Sequence, residues 1–277
     1  MNQNPSSGFL YKDLKEILQC AKTKFEFCLF SEACGILRKL DSAKASGKKL
    51  KLFMRHDVDV SLEKALTIAQ IERDLGIRAT YMVMTDSKLY GLDDGSSIGL
   101  LNTIMEMGHE IGLHIHMPES SDVNSVKKAL VPACKRLEEK IDLPVSSFAF
   151  HRPGQAQTTN LLFRLPLEIS GRVNAYATEL TGFKYESEPP LKHYISDSGG
   201  GRGLTRPLLE MLRDYDKSLL QLLIHPIWWG LYPESGENLF AFYVEKIQNC
   251  REELRSKIND AINYDVNLCS PVWNRIS

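Results

Sequence analysis

The chain has 277 residues, 43% apolar and 25% charged, enough to bury one sizeable α/β core or two small ones. Its 34 Lys and Arg against 35 Asp and Glu leave a formal net charge of −1, which argues against nucleic acid as a partner. No apolar run approaches the ~20 residues of a membrane helix, and the N-terminus lacks the basic-then-apolar pattern of a secretory leader. Six cysteines without a C-x-x-C pair fit reduced thiols, so a cytoplasmic location is expected.

In chain order, residues 1–43 carry a helical pattern and are expected to form an extension packed outside the main domain. Residues 41–49, rich in Ala, Ser, Gly and Lys, read as a linker. From Lys51 onward short β-rich runs alternate with helical ones. Strands are expected at 51–55, 79–85, 110–116, 147–151, 173–178, 193–196 and 219–225. Ser61 caps a helix carrying Leu62, Ala65, Leu66, Ala69 and Leu75 at helical spacing, stopped by Gly76. Further helices are expected at 98–107, 123–141, 208–214 and 239–264. Such alternation predicts parallel strands joined by right-handed crossovers. Seven strands suggest an α/β fold, a distorted (β/α)7 barrel, as a single catalytic domain over residues 51–277.

Ionisable residues gather at the ends of these strands, the face that holds active sites in parallel α/β barrels. In Arg55-His56-Asp57-Val58-Asp59 the alternation of an extended chain puts Asp57 and Asp59 on one face. Neighbouring carboxylates repel unless a cation lies between them or one is protonated. In Gly108-His109-Glu110-Ile111-Gly112-Leu113-His114-Ile115-His116, His114 and His116 likewise share a face, suited to gripping a metal ion; His109 faces away, in a structural or rim role. Arg152, after His151 and before Pro153, could pair with a carboxylate base and keep it ionised. Asp197, in a Gly/Ser-rich stretch, is a candidate to orient Arg152 or simply to form a turn. His225 ends a strongly apolar strand and suits proton donation to a leaving amine. Trp228 and Trp229 beside it fit either the core or the apolar face of a sugar.

These five segments, in this order over residues 55–229, resemble the metal-dependent polysaccharide deacetylases of carbohydrate esterase family 4, the chitin-deacetylase-like group. The R-H-D-V-D string looks like a divergent branch found among bacterial surface-polysaccharide (O-antigen) enzymes. The resemblance implies a distorted barrel, Asp57 as general base, Asp59 and His114 as metal ligands, and Arg152 as support for the base. It also implies His225 as general acid and Leu223 as an apolar wall facing the acyl methyl; the family's acidic-Trp motif is not recognisable, and Asp197 is a candidate for its role. Two departures stand out. Val58 separates aspartates that are adjacent in the family, so base and ligand could be exchanged. Pro118 occupies the usual place of the second metal histidine, which leaves His116, with His151 or His56 as alternatives.

The expected cofactor is one divalent transition-metal ion, Zn2+ first, with Fe, Co, Ni or Mn as alternatives. The expected reaction removes an acyl group, N-acetyl first, from an amino sugar. The substrate would be a small nucleotide-linked or lipid-linked sugar in O-antigen or capsule assembly, with His151, Leu223, Trp228 and Trp229 lining its site. Rival readings are hydrolysis of an ester or non-sugar amide, and a non-catalytic protein on the same fold that binds a glycan or partner.

Overall fold

The computed structural model describes residues 9–42, 49–118, 120, 122–151, 165–182, 193–198, 204 and 206–230. The sheet is built on strand β2 (Leu50–Val58), whose Leu52, Phe53 and Met54 are fully buried, as expected of a parallel strand covered on both faces. The C-terminal half of β2 pairs in parallel with β3 (Thr80–Met84), Asp57 beside Met82. On its other edge it pairs with β9 (Leu219–Ile224), Arg55 beside Leu223. The sheet continues outward from β3 through β4 (Glu110–His116), β5 (Ser147–His151) and β7 (Arg172–Asn174) to β6 (Glu168–Ile169). Beyond β9 lies β8 (Tyr194–Ser196). All these pairings are parallel except β6 with β7, and the sheet curls into a half-barrel with helices packed against it.

Three crossovers are capped as their sequences require. Helix α3 (Leu62–Asp74) starts where the Ser61 Oγ accepts the Lys64 amide at 3.2 Å, and ends at Gly76 with φ +65°. Helix α4 (Gly95–Glu106) is capped by Asp94, and α5 (Val123–Ile141) by Asp122, which accepts the amides of Asn124 and Ser125. Behind β2 a polar cluster fastens α3 to the sheet. Buried Glu72 lies 2.7 Å from the Nε2 of His56 and accepts the Tyr81 hydroxyl at 2.6 Å. His109 Nδ1 accepts the Ala79 amide, so its Nε2 donates to the Ala69 carbonyl, which gives His109 its structural role.

The N-terminal segment departs from the helical expectation. Helices α1 (Tyr11–Lys24) and α2 (Ala33–Ser42) flank a strand, β1 (Phe25–Cys28), which pairs in parallel with residues 50–53 of β2. This segment is therefore part of the sheet as well as its cover. A four-residue strand between helices is too short for its alternation to register in sequence. The strand expected over 173–178 stops at Asn174 because the Asn174 side chain accepts the Tyr176 amide and turns the chain into α6 (Thr178–Thr181). The hairpin of β6 and β7 turns through Ser170 and Gly171, both at positive φ. Helix α7 (Leu208–Asp214) is where the sequence predicts it, whereas the helix expected at 239–264 lies outside the described residues.

Gly112 shows how tightly β4 is held. A Cβ there would lie 2.5 Å from Met82 Sδ and 2.8 Å from Ser147 Oγ. Gly112→Ala is expected to cost ~1–3 kcal/mol by overpacking, read from the shift of the urea unfolding midpoint at unchanged m-value.

Candidate active site

The C-terminal ends of β2, β4, β5 and β9 bring the candidate residues together. Asp59, His114 and His151 each offer one possible ligand atom, and these atoms lie within 4.8 Å of one another. The Asp59 Oδ1 is 3.2 Å from His114 Nε2 and 3.9 Å from His151 Nε2. Ligand bonds of 2.0–2.2 Å at tetrahedral angles put donor atoms roughly 3.3–3.6 Å apart; the Asp59–His114 pair lies just under that range and the Asp59–His151 pair just over it. Protonation gives a second test. His114 Nδ1 lies 3.2 Å from the Ala149 carbonyl, an acceptor only, so Nδ1 carries a proton and Nε2 is the ring nitrogen that faces Asp59. The Asp59 Oδ1 is itself buried, and among the described residues it accepts no hydrogen bond of good geometry, with His114 Nε2 as its near neighbour. A cation held between a buried carboxylate oxygen and imidazole nitrogens in their lone-pair form would satisfy all of them.

Of the three histidines open as the remaining ligand, the structure brings His151 into this group. His116 points away, its side chain 57% exposed, with its Nδ1 3.3 Å from His151 Nδ1. His56 lies on the opposite face of β2, against Glu72.

Asp57 stands beside the group, its Oδ2 3.6 Å from His114 Nε2 and 4.0 Å from His225 Nε2. Its ion-pair partner is Arg55, two residues earlier on the same face of β2, which the sequence reading passed over. Arg55 is fully buried and grips Asp57 with two bonds of 2.7 Å, from Nε to Oδ1 and from Nη2 to Oδ2. Its remaining donors reach the Tyr176 hydroxyl at 3.0 Å and the Gln221 side chain at 3.3 Å, and its guanidinium lies 4.5 Å from the Tyr176 ring centroid. Burial would raise the pKa of Asp57, but the Arg55 charge outweighs it and, with His114, holds the carboxyl below its ordinary range. Arg152, expected in this supporting role, lies outside the described residues.

Asp197 serves His225. Its carboxylate takes His225 Nδ1–H at 2.6 Å, the His225 backbone amide at 3.0 Å and the Trp229 indole N–H at 3.0 Å. These bonds fix the ring and leave His225 Nε2 on the side of Asp57. Burial would lower the His225 pKa, yet the Asp197 charge and hydrogen bond raise it to about 9. Leu223 is buried on the same face of β9 as Gln221 and His225. Trp229 is 1% exposed, with its ring edge-on to Phe9, so it braces Asp197 from behind and offers no face to a sugar. Trp228 is half-buried against the core, its indole N–H buried without a hydrogen-bond partner.

Breaking the Arg55–Asp57 pair from one side leaves a buried charge alone. Arg55→Met is expected to cost about 3–5 kcal/mol, and the double variant Arg55→Met with Asp57→Asn to recover most of it, both measured by urea unfolding.

No family model matches the chain, and no curated protein matches it. Several solved structures are similar to it at low identity. A carbohydrate esterase family 4 pseudoenzyme from Bacillus anthracis is 14% identical with a TM-score of 0.39, over 74% of this chain and 63% of that one; the chain thus spans less than two thirds of that protein. A Streptococcus pyogenes deacetylase in complex with acetate is 13% identical with a TM-score of 0.38, over 86% of each chain. A family 4 carbohydrate esterase from Bacillus anthracis is 15% identical with a TM-score of 0.39, over 90% of this chain and 88% of that one.

Proposed function

We propose that the chain is a metal-dependent hydrolase that removes an acyl group, acetyl first, from the nitrogen of an amino sugar. The observation that carries this reading is the approach of His114 Nε2 to the buried Asp59 Oδ1 at 3.2 Å, with His151 as a third possible ligand and Asp57 and His225 beside them. Asp59, His114 and His151 would hold the ion, Zn2+ or a neighbour in the first transition row. When bound, such an ion polarises the acyl carbonyl and acidifies a water.

The chain's own groups complete the reaction. Asp57, kept anionic and oriented by Arg55, takes a proton from the attacking water on the Oδ2 that faces His114 and His225. His225 Nε2, charged through its bond to Asp197, gives a proton to the departing nitrogen as the C–N bond breaks. Water and amide thus become a carboxylic acid and an amine. Leu223, between Gln221 and His225 on β9, supplies the apolar wall for a small acyl group. The sugar reading rests on the sequence resemblance, and a nucleotide-linked or lipid-linked precursor of a surface polysaccharide is the substrate it suggests. Among the described residues no helix is long and apolar enough to cross a membrane.

Elemental mass spectrometry on protein purified without chelator is expected to find one transition-metal ion per chain in wild type and none in His114→Ala. Equal metal in both, or none in either after reconstitution, would overturn the site. With an acetylated amino sugar as substrate, Asp57→Asn and His225→Ala are each expected to lower kcat by roughly 10²–10⁴-fold while metal content is retained. The His225 acid must be protonated, so activity is expected to fall as pH rises through about 9. In Asp197→Asn burial acts on His225 without the opposing charge, and the alkaline limb of the pH–rate profile should move to lower pH.

A further inference from the structure

His116 has no place among the three ligand atoms, yet it is not an unattached surface residue. It lies directly opposite His151 in the parallel register of β4 and β5, and the two rings stand at 65° with centroids 4.9 Å apart. Their Nδ1 atoms are 3.3 Å apart, a distance at which one must donate and the other accept. The other nitrogen of His151, Nε2, faces Asp59. On the far side of His116 its Nε2 lies 3.9 Å from the Asp86 carboxylate, two residues beyond the end of β3. From the inside outward the groups thus run Asp59, His151, His116, Asp86.

We infer that His116 is a positioning residue that fixes the tautomer and the ring plane of His151, so that His151 Nε2 is presented to the metal as a lone pair. The inference rests on the proposed metal site. A ligating imidazole commonly donates its second ring N–H to a neighbouring acceptor, which sets the tautomer and makes the ligand more basic. His114 does this with a backbone carbonyl, Ala149. For His151 Nδ1, His116 Nδ1 is an acceptor in range among the described residues. Neutral His116 accepting at Nδ1 has its proton on Nε2, the nitrogen that faces Asp86, so the carboxylate favours the tautomer that His151 requires. The ring of His151 is thereby set from the solvent side by a side chain on the neighbouring strand.

The test is metal affinity, measured on the full chain by competition of Zn2+ with a chromogenic chelator, for wild type, His114→Ala, His116→Ala and His116→Asn. The side chain of His116 is more than half exposed, so both His116 variants should share the melting temperature of metal-free wild type. Wild type should bind one ion and His114→Ala none. His116→Ala should bind one ion 10–100-fold more weakly. His116→Asn, whose amide oxygen offers an acceptor close to the place of Nδ1, should recover most of that loss. Wild-type affinity in His116→Ala would overturn the positioning role. Loss of the ion from both His116 variants, to the level of His114→Ala, would overturn it too and make His116 a ligand. Failure of wild type to bind more tightly than His114→Ala would overturn the metal site itself.

Discussion

A guanidinium with no exposed surface must have its charge and donors met inside the protein, and around Arg55 this demand organises three parts of the chain. Asp57 meets the charge on the same strand, Gln221 approaches from β9, and Tyr176 from the turn after β7. Gln221 is held in turn by the Ala175 carbonyl at 2.8 Å. A buried pair of this kind gives little net stability, because desolvation offsets most of its attraction, but it penalises any arrangement that separates its members. It therefore acts on geometry more than on stability. Residues 175, 176 and 221 are thereby tied to Arg55, and the Asp57 Oδ2 it holds also faces His114 Nε2 at 3.6 Å.

From that point the site divides into two halves of different character. One half, with Asp59, His114 and His151, comes from β2, β4 and β5, where the parallel register sets His114 beside Ala149 and His116 beside His151. The other comes from the ends of β8 and β9, where Asp197 satisfies three N–H groups and fixes His225 through two of them. Asp57 sits between the halves, within 4.0 Å of a histidine of each. Burial would make each ionised group costly alone; together they supply one another's counter-charges.

Much of this was legible in the sequence, and what was missed has physical causes. Glu110–His116, Ser147–His151 and Val123–Ile141 match their sequence-derived bounds because their periodicity is undiluted and their caps are explicit. The gathering of Asp57, Asp59, His114 and His225 followed from their shared position at strand ends. Arg55 was legible on the same alternation that linked Asp57 to Asp59, but an arginine inside a strand reads as a motif letter until its burial is known. The choice between His116 and His151 depended on strand register and on which way a ring leans, and neither is written in local spacing. Trp229 could be read as a sugar platform or as core; its bond to Asp197 spans 32 residues and had no local signal.

The pairing of β2 with β9 joins residues 51–56 to residues 219–224. A contact over so long a loop forms slowly, because the chain must close most of its length before the strand pair repays the lost entropy. During synthesis from the N-terminus, β2 to β5 can assemble while β9 has yet to be made. One edge of the central strand then waits unpaired, with Arg55 lacking Gln221 and Tyr176. In that interval Asp59, His114 and His151 can come together without His225, and the unpaired β2 edge is open to mispairing with another strand.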